Sequence, residues 1–317
     1  MTTIQEVLFE LETDYFGHPY YVSGHALYTA IARRLDSDVG RELCVSNGVF
    51  LPGEYGKIVG TGGSSFYTTG LEPVETYDDV FRFRDPAQRW LLDSRPRDAH
   101  NTLDVQSHGG RLTFSPTCRF GKPPENHYSK RSVTWHVHCY IHSDGADGVV
   151  PLSESVLDGI RVGGARNYGL GELRLADTQT FELESLDYSR LEDAVGGQFE
   201  IELLSPYVLQ SEHHGADDQS VPWWWDAPHE LRRREERLVV GDEVFAVEAI
   251  DHGQRVTYAG TDPVSTAMNG VRRVGTHSKF GFGEFRVRPA GDDRVTWSDE
   301  IGSVHRTWSG RSGEAEP

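Results

Sequence analysis

RVGGARNYGLGELRL at Arg161–Leu175 and RVGTHSKFGFGEFRV at Arg273–Val287 are one phrase written twice, 112 positions apart. Extended back to Pro151 and Pro263, the comparison gives nine identities in 25 ungapped positions. Most fall where the backbone is constrained, at Gly163/Gly275, Gly169/Gly281 and Gly171/Gly283, flanked by Arg161/Arg273, Glu172/Glu284 and Arg174/Arg286. Self-similarity at a fixed offset marks a duplicated structural unit. The chain therefore divides into two halves built on one plan.

Each copy opens with a stretch compatible with a helix, LSESVLDGI or VSTAMNGVR, passes through the glycine-rich loop and enters an alternating strand, GELRL or GEFRV. Glycine reaches positive φ and lacks a Cβ, so such a loop can leave its main-chain amides open to a phosphate. Arg166 and Lys279 can pair with phosphate oxygens, and each loop carries an aromatic, Tyr168 or Phe280. The plain alternative is a turn between helix and strand that binds nothing, and one glycine loop alone would not decide against it. Two copies in register, each with a cation and an aromatic, favour a ligand.

Outward from the repeat, IQEVLFELET alternates through Val7, Phe9 and Leu11 as a strand. SGHALYTAIARRL is a helix that Ser23 can cap, with Ala26, Leu27, Ala30, Ile31 and Leu35 at helical spacing. The second half opens with a strand over Phe199–Leu209, then the charged turn and strand RRREERLVVGDEVFAVEAI and the strand RVTYAG. Strand, helix, strands, helix, glycine loop, strand in each half predicts an α+β protein of tandem ferredoxin-like (RNA-recognition-like) domains, each an antiparallel sheet with helices on one face. The expected bounds are 1–190, with an insertion at about 52–130, then 191–290, then a flexible tail at 291–317.

Composition limits the partners. At 317 residues the chain can bury two cores, and it has no apolar run of membrane-spanning length and no signal-peptide core, so a cytoplasmic protein without membrane contact is expected. Cys44, Cys118 and Cys139 are scattered, which argues against a disulfide framework or zinc knuckle; no cofactor and no metal are expected. The net charge of −18 normally argues against nucleic acid. Yet only Lys57, Lys122, Lys130 and Lys279 are lysines among 31 basic residues, a composition of halophilic proteomes in which surface acid serves solubility. In a saline cell a binder leans on arginine forks, amides and stacking.

With the doubled loop and topology in hand, the chain resembles the repeat-associated mysterious protein (RAMP) superfamily of CRISPR-associated proteins. YYVSGHALYTAIARRL at Tyr20–Leu35 is similar to that family's first-helix segment through Val22, Gly24, Ala26, Leu27, Ala30, Ile31 and Arg33. His25 stands where serine is commoner, and Tyr28-Thr29 where a basic residue and glycine are frequent. The resemblance covers both halves but neither insertion nor tail. It implies binding of CRISPR RNA, alongside other CRISPR-associated effector subunits, with Arg161, Gly163, Gly164, Arg166, Gly169, Gly171, Arg273, Gly275, His277, Lys279, Gly281 and Gly283 on the backbone. Two jobs fit: a non-catalytic effector subunit, or a processing endoribonuclease in which a ribose 2′-hydroxyl attacks the adjacent phosphate without a metal.

For the second job the resemblance points to His25 as general base, accompanied by Tyr20, Tyr21 and Lys57; a histidine that merely caps or packs is the competing reading. WHVHCYIH sets His136, His138, Tyr140 and His142 on one face of a strand. Three histidines along a flat strand make a poor metal cage, so a face toward RNA or solvent is predicted. Trp223, Trp224 and Trp225, followed by Arg232, Arg233, Arg234 and Arg237, suit base stacking or docking of a partner protein, and a scaffold that never meets RNA is the third reading. His213 and His214 have no assigned role. No GxSxG, HExxH or P-loop occurs, and the GLG and GFG precede strands, opposite to a dinucleotide fold.

Overall fold

β1 (Thr3–Leu11) lies at the centre of the first half, because its Val7, Phe9 and Leu11 belong to one buried face and its Ile4 and Glu6 to another. The structure, a computed structural model, describes residues 1–17, 21–52, 71–84, 112–114, 117–119, 132–145, 149–194, 196–227, 230–240 and 243–291. After β1 come β2 (Tyr15–Gly17), β3 (Tyr21–Val22), α1 (Gly24–Ala32), α2 (Ser37–Glu42), β4 (Leu43–Val45) and β5 (Gly48–Pro52). They are followed by β6 (Leu112–Phe114), β7 (Thr117–Arg119), β8 (Ser132–Ser143), α3 (Glu154–Leu157), β9 (Ile160–Arg161) and β10 (Glu172–Glu182). β1 pairs antiparallel with β8 on one side and with β10, the strand after the first glycine loop, on the other, giving the order β5-β8-β1-β10. α1 starts where expected: the Ser23 hydroxyl accepts from the Ala26 amide, a cap contributing about 1 kcal/mol, and Leu27, Ala30 and Ile31 cover the Val7/Phe9/Val137 face.

The second half contains α4 (Ser189–Glu192), β11 (Phe199–Leu203), β12 (Tyr207–Ser211), β13 (Trp225–Asp226), β14 (Arg233–Val240), β15 (Glu243–Ile250), β16 (Arg255–Tyr258), α5 (Pro263–Arg272) and β17 (Phe285–Pro289). Its sheet runs β13-β16-β11-β17, so again the opening strand is flanked by the strand after the glycine loop. The mixed α+β class, with mostly antiparallel sheets and few helices, is as the sequence predicts.

Three expectations need correction. The strand at Phe199–Leu209 is two strands in different sheets: the Leu204 and Ser205 amides both turn to the Glu284 carbonyl, and Pro206 has no amide to continue a ladder. Among the described residues no helix lies between it and β14; β12, β15 and β14 form a separate three-stranded sheet instead. LSESVLDGI gives only the single turn of α3, ended by Gly159 at φ 66° before β9 begins.

The span 52–130 is not uniformly an insertion. Tyr77, Val80 and Phe81 pack into the second half's core and Arg84 is fully buried, so residues 71–84 belong to the body of the fold. They cover His138 and Tyr140 on β8, while His142 on the same face is buried against Arg273 and His136 is half-buried, so the expected RNA- or solvent-facing surface is mostly interior. There His138 Nε2 meets Glu6 Oε1 at 2.8 Å and Tyr140 donates to the Val80 carbonyl at 2.6 Å. Among the described residues no helix is long and apolar enough to cross a membrane. Residues 292–317 lie outside the described residues.

Candidate functional site

The two repeats fold into the same loop. Ala165 and His277 both take left-handed φ (58° and 66°), a 3-10 turn follows at Arg166–Tyr168 or Ser278–Phe280, and the paired glycines follow suit at Gly169 and Gly281 (86° and 91°). Each loop closes on itself: Val162 N donates to Gly171 O at 2.9 Å, and Val274 N to Gly283 O at 3.1 Å. Gly171 and Gly283 have a steric cause beyond φ, since a Cβ would stand 1.9 Å from Val162 O or 2.0 Å from Val274 O. The expectation of open glycine amides fails in part, because those of Gly164, Gly169 and Gly171 are spent on Phe16 O, Arg166 O and Asp14 O. Among the described residues, the first loop's amides without a bond are those of Gly163, Ala165, Arg166, Asn167 and Leu170.

Their surroundings are opposite. The second loop is pressed into the first half: Phe280 is buried with its ring 4.8 Å from His25 and 4.9 Å from Tyr28, and Gly281 leaves no room for a Cβ against Asn47. Gly24 at the start of α1 is the mating surface, for its Cβ would lie 2.4 Å from Phe280 O. Arg273, expected on RNA, is 5% exposed and donates to Ser278 O and His142 Nδ1; Gly281 and Gly283 are buried as well. Gly275 remains at the surface, and Lys279 sits 4.9 Å over the Phe280 ring. Glu284 ion-pairs with Arg84 at 3.0 Å, both side chains under 5% exposed. In the first loop the equivalent Arg161–Glu172 pair, 2.7 Å, is exposed.

The first loop opens onto a cleft of about 740 Å³ lined by Arg33, Arg34, Arg161 and Arg166, with Gly163, Gly164, Ala165 and Asn167 as floor and no carboxylate on its wall. Arg34 is committed to the end of α3, where its guanidinium holds the carbonyls of Val156, Asp158 and Gly159. Arg33 and Arg166 have no carboxylate partner among the described residues. The cleft over β12, β14 and β15 contrasts with it, mixing Arg233 and Arg234 with Glu212, Asp218, Glu235 and Glu248. Arg33 and Arg34 escaped the sequence reading as site residues; the signal was the Arg-Arg pair at the end of α1.

A second cluster forms where the halves meet. His213 and Lys279 lie close enough to act on both His25 and His277, and Arg166 adds positive charge near His25. Burial first, then these cations, lowers both His25 and His277 to about 4, so each is neutral at pH 7. His277 Nε2 is 2.8 Å from Ser211 Oγ. Tyr21 is not beside this cluster in role: it donates to Glu236 at 2.9 Å, and burial raises its phenol. Tyr20 and Lys57 lie outside the described residues.

Among the described tryptophans only Trp223 is exposed, at 80%; Trp225 is buried on Tyr207, and Trp224 packs on Phe285, so these two are core and not a stacking surface. Arg232 and Arg233 are exposed and face Asp251 and Glu248. Among the described residues, one group has metal-ligand spacing, Cys44, His142 and Asp144 within 4.8 Å. Arg273 can only donate to His142 Nδ1, which puts the ring proton on Nε2, toward Asp144 at 3.4 Å; that tautomer has no lone pair for a cation.

No family model matches the chain, and no curated protein matches its sequence.

Proposed function

We propose that this chain is an RNA-binding subunit built on two ferredoxin-like frames, gripping an RNA backbone in the arginine cleft of its first glycine loop. The observation that carries this is the cleft itself: four arginines line it, and two of them, Arg33 and Arg166, have no carboxylate partner among the described residues, in a chain of net charge −18. The order β5-β8-β1-β10 with α1 and α3 as its connections supports a ferredoxin-like frame in the first half, and the second half keeps three corresponding strands. Resemblance to the RAMP superfamily supports CRISPR RNA as the ligand and other effector subunits as partners. The experiment is binding of repeat-derived RNA by the wild type and by Arg33→Ala/Arg166→Ala. A fall of tenfold or more, roughly 1.4 kcal/mol, is expected; undiminished affinity overturns the reading.

A specific observation favours the processing endoribonuclease as second reading. His25 is neutral at pH 7, with the charges of Lys279 and Arg166 near enough to act on it, so it could take the 2′-proton while those cations stabilise the phosphorane. Cleavage of precursor RNA in chelator, abolished by His25→Ala, would establish it; an intact substrate would remove it.

A further inference from the structure

The duplicated loops allow one to calibrate the other. Where the second loop sets Phe280, the ring is held edge-on by His25 and Tyr28 and stacked with His277 at an interplanar angle of 26°. At the same backbone position the first loop sets Tyr168, which is 83% exposed. No ring or cation contact covers Tyr168 among the described residues, so its ring is open to a ligand. An aromatic held on a rigid 3-10 turn loses little freedom when something flat settles on it. Tyr168 is two residues from Arg166, so their Cα atoms are at most about 7.6 Å apart.

Resting on the RNA-binding reading, we infer that the first loop is a two-part site for single-stranded RNA: Arg33, Arg166 and the amides of Ala165–Asn167 take phosphate, and Tyr168 stacks on a nucleobase. The single strand follows from the aromatic. In a duplex the base faces are already stacked and the A-form grooves hide them, whereas an unpaired base offers its π-face to a side chain. A tyrosine suits this position better than the phenylalanine of the sealed loop, since its hydroxyl stays in water while the ring is covered. Protein docking on Tyr168 is the competing outcome, disfavoured because Tyr168 lies two residues along the chain from Arg166 of the arginine cleft, in a protein of net charge −18.

The test compares an unstructured 12-nucleotide RNA carrying 2-aminopurine with a duplex of equal length, using wild type, Tyr168→Ala, Tyr168→Phe and Arg33→Ala/Arg166→Ala. Wild type should quench the 2-aminopurine and prefer the single strand. Tyr168→Ala should lose the quenching and roughly 5- to 100-fold in affinity for the single strand alone; Tyr168→Phe should stay within about twofold. Circular dichroism should be unchanged, as expected for a surface side chain. If Tyr168→Ala binds as well as wild type while the arginine variant is weakened, stacking is wrong and backbone binding stands. If the arginine variant also binds normally, the RNA reading itself falls. Equal losses on single strand and duplex would overturn the strand preference.

Discussion

The loop at 163–171 and the loop at 275–283 share their turns, their self-closing hydrogen bond and their left-handed residues, yet one faces water and the other faces protein. Backbone conformation is thus a local property of the glycines, while binding is a property of what surrounds them. The second loop spends its aromatic, its arginine and its glutamate on joining the halves through Phe280, Arg273 and Glu284. The first keeps the equivalent Tyr168, Arg161 and Glu172 exposed or half-exposed. A glycine-rich phrase is therefore evidence for a shape, and only the arginine wall turns that shape into a candidate site.

Paired substitutions can break this contrast. The largest gap is expected between Glu284→Ala and Glu172→Ala. Removing Glu284 strands the buried Arg84 charge and should cost about 3–5 kcal/mol, whereas Glu172 belongs to an exposed pair contributing under about 1 kcal/mol; urea denaturation measures both. Phe280→Ala should cost about 3–5 kcal/mol and Tyr168→Ala less than about 0.5 kcal/mol, read from the same curves. Similar losses in either pair would mean that the loops are not differently buried in solution.

Gly281→Ala and Gly169→Ala separate strain from collision. Both impose a positive φ costing about 1–2 kcal/mol, but only Gly281 would also meet Asn47, with a Cβ 2.6 Å from its Oδ1, bringing the total to roughly 2–5 kcal/mol. The last contrast is in pH. His25, His277 and His142 are held below their ordinary value, down to about 4, by burial and neighbouring cations, so the unfolded chain binds more protons between about 6.5 and 4. The stability they contribute is fully present above about 6.5 and is lost as pH falls toward 4. Because all three cluster at the second loop, hydrogen exchange should quicken there first, with the first loop unaffected. Uniform quickening would contradict the assignment.

The duplication, the strands that follow the loops, and α1 with its Ser23 cap were legible because glycine φ, capping and hydrophobic period are written within a few neighbouring residues. Exposure was not, since it is decided by Gly24, Asn47 and Arg84, far away in sequence. Only the change from Tyr168 to Phe280 hinted at it. The alternation of WHVHCYIH was read correctly as a strand and, beyond His136, wrongly as half-exposed, because residues 71–84 cover His138 and Tyr140 and Arg273 covers His142. The break after Leu203 could have been read from Pro206, which removes a ladder donor.

Arg34 divides its wall of the cleft into structure and function. Its fork is filled by three main-chain carbonyls and Arg161 answers Glu172, which leaves two of the four guanidinium groups to displace condensed ions from a polyanion. For a single strand, two such contacts correspond to a slope of about −1.4 in log K against log salt. If the cleft holds a polyanion as proposed, so shallow a dependence would cost it little affinity as salt rises.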